Sequence, residues 1–164
     1  MTRLLAAGDE VRVVARPSEE VERWGEWGAH TALGDPGDPD LIERAAQNAR
    51  SVVTFDDGSG GHEILEAAIE GGSSAGVERI IICSQGAPGA HERKRVSRSS
   101  LEHVVLVTGS LRRRRFPLRA RALTPGQVAV AVDAADDLAG HPRVVLDLRE
   151  YEAWRALNLE PPAG

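Results

Sequence analysis

Short apolar runs alternate with stretches of helical periodicity along the whole chain. Thr2 to Ala7 reads as the end of a helix, closed by Gly8, a residue that tolerates the left-handed conformation of a C-cap. Val11, Val13, Val14 and Ala15 follow as a strand ended by Arg16 and Pro17. A short helical stretch carries Val21, Trp24 and Trp27, and Thr31 to Leu33 reads as a second strand running into Gly34-Asp35-Pro36-Gly37. Asp38 supplies an N-cap and Pro39 a first helical position. Leu41, Ile42, Ala45, Ala46 and Ala49 then repeat at helical spacing. Val52 to Phe55 is the next strand, followed by Asp56-Asp57-Gly58-Ser59-Gly60-Gly61. A helix after it presents Ile64, Leu65, Ala68 and Ile69 on one face, and Gly71-Gly72 weakens its end. Val77 to Cys83 is the most strand-like run; a Gly/Pro loop and a basic stretch separate it from Val104 to Val107. Thr124-Pro125 caps a helix with Val128, Val132, Ala135 and Leu138 on one face. Val144 to Leu148 and a last helix through Trp154 and Leu157 complete the pattern. Strands alternating with helices predict an α/β fold, a parallel sheet covered on both faces. No internal repeat or linker interrupts it, so residues 1–164 read as one domain.

Composition narrows the classes. A chain of 164 residues with a hydrophobic fraction of 41% and a charged fraction of 27% is long and apolar enough to bury a core. The lone Cys83 removes any intrachain disulfide and any cysteine-based zinc site. No apolar run approaches the roughly 18 residues of a membrane span, and no secretory leader is visible, so a cytoplasmic domain is expected. The formal net charge is −5, but His91 to Arg121 holds ten of the twenty basic residues and only Glu92 and Glu102 as acids. Such a stretch can meet phosphates. Only Phe116 interleaves with it, which argues against base stacking and for a solvated basic loop or a clamp on one phosphorylated ligand.

The order of motifs resembles the atypical short-chain dehydrogenase/reductase families, among them the NmrA-like NAD(P)H-binding Rossmann proteins. The resemblance rests on LLAAGDEVRVVARPSEE, on GAHTALGDPGDPDLIERAAQNARSVVTF and on EAAIEGGSSAGVERIIICSQGA. It extends to LEHVVLVTGSL and TPGQVAVAVDAADDLAG, and so covers most of the chain. It implies a doubly wound, Rossmann-like parallel sheet and an NADP or NAD cofactor. Arg16 then stands at the end of the strand that faces the adenosine ribose, Asp35 near the adenine edge, Phe55 and Asp56 at a ligand-facing strand end, and Ser84 at the family's strand-end serine.

Two departures bear on function. The family's first strand and its G-x-x-G-x-x-G turn would precede Thr2, and neither that spacing nor G-x-G-x-x-G occurs among the seventeen glycines. Those glycines let the backbone approach a pyrophosphate at a helix N-terminus. The chain therefore reads as N-terminally truncated relative to the family. The missing strand would be central, between those at Val11 and Val52, leaving two unpaired backbone edges. An upstream start, a changed strand order or a partner chain filling the slot, as in a homo-oligomer, would each account for it. The second departure is catalytic. Classical members use Tyr-x-x-x-Lys, the lysine lowering the tyrosine pKa for proton transfer. Here the only tyrosine, Tyr151, follows the only lysine, Lys94, at a long distance, so that dyad cannot form.

Each candidate has an ordinary reading beside the functional one. Arg16 suits a 2′-phosphate by its planar fork, or is a solvent-exposed arginine before a proline. Asp35 is an adenine-edge residue or a turn aspartate before Pro36. The loop from Asp56 to Gly61 has backbone amides that can hold an anion, but its two aspartates oppose one. Ser84 is the one catalytic candidate, and a serine alone transfers a proton poorly. His62 opens a helix near the pocket as a proton donor or an exposed cap. His30, His91, His103 and His141 show no metal-ligand spacing or carboxylate partner. Trp24, Trp27 and Trp154 read as packing residues, and Cys83 as a small core residue. Arg112 to Arg115 follow a strand whose loop borders the substrate pocket in the family, so they are either a site for an anionic substrate or a solvated loop. The alternative to a redox enzyme is a non-catalytic relative that binds a partner or senses a nucleotide.

Overall fold

The computed structural model describes residues 1–56, 61–109 and 123–162. Among these, helices and strands alternate: α1 (Thr2–Ala7), β1 (Arg12–Ala15), α2 (Glu19–Glu26), β2 (His30–Leu33), α3 (Pro39–Ala46), β3 (Ser51–Asp56) and α4 (Gly61–Ala75). Then come β4 (Arg79–Ser84), α5 (Ala90–Arg98), β5 (Glu102–Val107), α6 (Pro125–Asp136), β6 (Arg143–Asp147) and α7 (Tyr151–Ala156).

The capping signals act as their chemistry dictates. Gly8 takes φ 93° after α1, and the Asp38 side chain accepts from the Asp40 N–H at 3.0 Å with Pro39 opening α3. Thr124 and Gln127 form a reciprocal capping box at α6, with 3.3 Å to the Gln127 N–H and 2.8 Å from the Thr124 N–H.

All strand pairs are parallel, in two sheets ordered β1-β2 and β3-β4-β5-β6. Alternate residues face two cores. Ile81, Val104 and Leu106 pack under α6 and α7 with Val128, Ala131, Ala135 and Trp154. Ile80, Ile82 and Val105 pack on the other face with Leu65, Ala68 and Val96 of α4 and α5. Ile80, Ile81, Val104 and Leu106 are completely excluded from water, each contributing about 1.5–3 kcal/mol by transfer. This explains the unbroken apolar runs Ile80–Cys83 in β4 and Val104–Val107 in β5.

No ladder joins β1 to β3 among the described residues, and Val13, Val14, Val52 and Val53 are only partly buried. Among the described residues one edge of β1 and one edge of β3 are therefore unpaired. Arg12 at the start of β1 donates to the carbonyls of Ala45 and Gln47, holding that strand to the segment that leads into β3.

Three expectations are corrected. Gly71 and Gly72 do not bring their helix to an end, because α4 runs through them to Ala75. A Cβ at Gly71 would lie 2.8 Å from Glu43 N and from Ile42 Cβ, so the glycine permits close packing of α4 on α3. The basic stretch is not all loop: Ala90–Arg98 is helical, with Val96 buried beneath it. Trp27 is not a packing residue, being 51% exposed beyond the end of α2, whereas Trp154 is buried and its indole N–H donates to Leu148 O at 2.7 Å.

Candidate functional site

The carboxyl ends of parallel strands carry the candidate residues, since there the chain leaves the sheet and backbone groups become available to ligands. At the ends of β1 and β2, Arg16 Nη2 meets Asp35 Oδ1 at 2.9 Å. Asp35 Oδ1 also accepts from the Gly37 N–H at 3.0 Å, which makes it a turn aspartate. The Arg16 side chain is 71% exposed, so the pair orients a guanidinium that still faces solvent. An exposed pair of this kind adds little stability.

Across the open edge, Asp56 pairs in register with Ser84, and Phe55 with Cys83. Phe55 is 61% exposed at the strand end. Ser84 is buried, and its hydroxyl donates to Gly86 O at 2.8 Å, closing the turn after β4. That proton is committed to the backbone, and the oxygen is left as an acceptor. Asp57 to Gly60 and Arg112 to Arg115 lie outside the described residues. The structure thus brings Arg16 to Asp35, and Asp56 to Ser84, as two groups on either side of the unpaired edges.

Burial raises the Cys83 thiol to about 12, which keeps it protonated and unreactive. His62 stands exposed in the first turn of α4. No cluster of three or more metal-ligating side chains occurs among the described residues.

Several residues at these ends carry no sequence signal. Thr108 is buried, and its N–H and hydroxyl both donate to Ser84 O, at 2.8 and 3.1 Å. Asp147 at the end of β6 holds Arg149 through Oδ1 at 2.8 Å and through Oδ2, and this pairing lowers the carboxyl pKa. At the opposite edge, Arg79 and Glu102, the first residues of β4 and β5, pair at 2.6 Å with Arg79 only 5% exposed. Arg79 Nη1 donates to Ala135 O at 2.8 Å and to Asp136 O, and Nη2 to Leu138 O at 2.8 Å. His141 Nδ1 lies 2.5 Å from Glu102 Oε1, a carboxylate partner that local spacing does not reveal.

Solved structures resemble the chain in fold. ChuY, an anaerobillin reductase from Escherichia coli O157:H7, superposes with a TM-score of 0.70 at 16% identity, over 88% of this chain and 86% of that one. The fold is Rossmann-like. Vestitone reductase from alfalfa (Medicago sativa L.) matches at TM-score 0.60 and 13% identity, over 89% of this chain and 70% of that one. The NADPH-dependent quinone oxidoreductase QOR2 from Escherichia coli, solved with NADPH, matches at 0.51 and 17% identity, over 93% of this chain and 56% of that one. At such identities the likeness is one of fold. No family model matches the chain, and none of the curated protein sequences does. No helix among the described residues is long and apolar enough to cross a membrane.

Proposed function

We propose that this single domain is a cytoplasmic NAD(P)-binding Rossmann-type protein of the atypical short-chain dehydrogenase/reductase kind, with a preference for NADP(H). The observation that carries the reading is the Arg16 guanidinium at the carboxyl end of β1, exposed and oriented by Asp35. An arginine there offers its planar fork to an adenosine 2′-phosphate. Phe55, Asp56 and Ser84 would line the same edge, with Ser84 an acceptor toward a bound ligand. When bound, a nicotinamide nucleotide supplies hydride chemistry. The residues fit its adenosine end; the glycine-rich cradle for its pyrophosphate is not in this sequence, so no hydride-transfer step is assigned.

That same mismatch, with the excluded Tyr-Lys dyad, favours a second reading: a non-catalytic relative that senses a nucleotide or binds a partner. Titration calorimetry with NADPH and NADH separates the two. NADPH should bind more tightly than NADH, and Arg16→Ala should erase the preference while leaving NADH unchanged. Absence of binding by both nucleotides up to millimolar concentration overturns the cofactor reading and leaves the partner-binding one.

The unpaired edges of β1 and β3 support one more element of the proposal. A further strand, from additional N-terminal sequence or from a second copy of the chain, would complete the sheet between them. Light scattering on the chain decides the source: a homo-oligomer supports the second copy, and a monomer the added segment.

A further inference from the structure

β6 closes the larger sheet on the side away from β3, and among the described residues its outer edge has no neighbour. Two of its apolar side chains are open to water there, Val144 at 36% and Val145 at 48%. The ladder to β5 starts with the His103 N–H on Pro142 O and ends with the Leu148 N–H on Val107 O, both at 2.9 Å. A strand in a parallel ladder bonds to its neighbour through every second residue. Val144 and Leu146 therefore spend their backbone groups on β5, and Arg143, Val145 and Asp147 turn theirs outward. The side chains of these three share one face, since the register sets them beside His103, Val105 and Val107 of β5. Val144 and Leu146 lie on the other face, where Leu146 packs against the core under α6 and α7. An unpaired edge with apolar residues at its centre is a template for another strand.

That edge is complementary to itself. Laid antiparallel on a copy of β6 with Val145 opposite Val145, the strand sets Val144 opposite Leu146 and Arg143 opposite Asp147. Residues with outward backbone groups then meet one another, so Val145 exchanges both bonds with its twin while Arg143 and Asp147 bond across at either end. The Asp147 carbonyl accepts from the Glu150 N–H at 2.9 Å and keeps its second lone pair. Charges match in the same register. Arg143 is exposed and makes no ion pair or hydrogen bond among the described residues. Asp147 takes two bonds from Arg149 on Oδ1 and one on Oδ2, which leaves Oδ2 able to accept from a second guanidinium. Opposite charges directly across an antiparallel pair are favourable, and a slip of two residues would lose both such pairs.

We propose that β6 pairs antiparallel with β6 of a second copy of this chain, about a twofold axis at Val145, joining the two larger sheets into one. A second copy is the occupant, rather than an unrelated strand, because apolar side chains, backbone groups and charges all match in a single register. The surface lies at the opposite edge of the sheet from the gap beside β3, and its test needs no nucleotide. Such an interface is small, so the dimer should be weak, with a Kd of about 1–100 µM. Sedimentation velocity on the full chain, across that range and to several times above it, measures the association. Val145→Lys sets like charges face to face on the axis from a half-exposed position, and should weaken the dimer about tenfold or more. Arg143→Glu and Asp147→Arg each make both cross-strand charge pairs repulsive, and each alone should weaken it similarly. Mixed in equal amounts, these two variants regain opposite charges at both pairs and should associate with each other about as tightly as the original chain does with itself. Circular dichroism checks the folding of each variant. Should Asp147→Arg, which also releases Arg149, fail to fold, Val145→Lys and Arg143→Glu decide. A chain monomeric throughout, a dimer indifferent to Val145→Lys (as one seated between β1 and β3 would be), or folded charge variants that stay apart when mixed would overturn the assignment.

Discussion

Arg79 is the residue whose removal should cost this fold most for its size. Its guanidinium is sealed between the starts of strands β4 and β5 and the end of α6. It answers the Glu102 carboxylate and three carbonyls, those of Ala135 and Asp136 in the last turn of α6 and of Leu138 just beyond it. Arg79→Met keeps the apolar stem and removes all of this at once. Breaking a buried pair from one side costs about 3–5 kcal/mol, and the lower end of that range is expected here because His141 still faces the Glu102 carboxylate. For a chain of this length that is a fall in Tm of roughly 6–20 °C. The measurement is urea unfolding followed by circular dichroism. The double variant Arg79→Met/Glu102→Leu separates charge from capping: removing the carboxylate should restore part of the loss, while the Ala135 and Leu138 carbonyls stay without their donor and Asp136 O keeps only Arg50. A single-variant loss below about 1 kcal/mol, typical of exposed pairs, or a double variant as unstable as the two singles added, would refute the reasoning.

Acid should act in two windows. His103 has its folded pKa depressed by burial, so its contribution is complete above the unfolded value near 6.5 and declines as pH falls below it, and His103→Leu should flatten that limb. Glu102 is also depressed, chiefly by its hydrogen bond from Arg79, so its contribution is intact above roughly pH 4.5 and is lost below; Glu102→Gln should remove that dependence. Gly71→Ala should destabilise by about 1–3 kcal/mol despite alanine's better helix propensity, because the methyl would press on the α3 backbone at Pro39 and Glu43; an unchanged urea midpoint would sink this. With its thiol held to about 12, Cys83 should react with a thiol-specific disulfide reagent at pH 8 only after unfolding, and prompt reaction of the native chain would contradict its burial.

The elements most legible in the sequence are those with local causes. Asp38-Pro39 and Thr124-Pro125-Gly126-Gln127 write their caps in consecutive residues, and the apolar runs Ile80–Cys83 and Val104–Val107 follow from burial on both faces. Arg16 with Asp35 is partly legible, since both sit at strand ends, but their contact needs the β1–β2 register. Other features depend on packing between distant segments. Gly71 reads as a helix breaker until α3 is laid against it. Nothing local to Arg79 signals its buried pairing until α6 ends above it, and His141 meets Glu102 across 39 residues.

The division of the strands into two sheets has a dynamic consequence. α1 buries no residue, and it is tied to α6 through Arg3 and Asp133 at 2.6 Å, both at the surface. The segment from α1 to β2 therefore has few of the contacts that resist local opening. Its amides should exchange with solvent well before those of β4 and β5, as a separate cooperative unit rather than in one global event. Whatever seats between β1 and β3 would act as a clasp: by bonding to both edges it would bring the two units to a common opening free energy, and the early exchange of β1 would disappear.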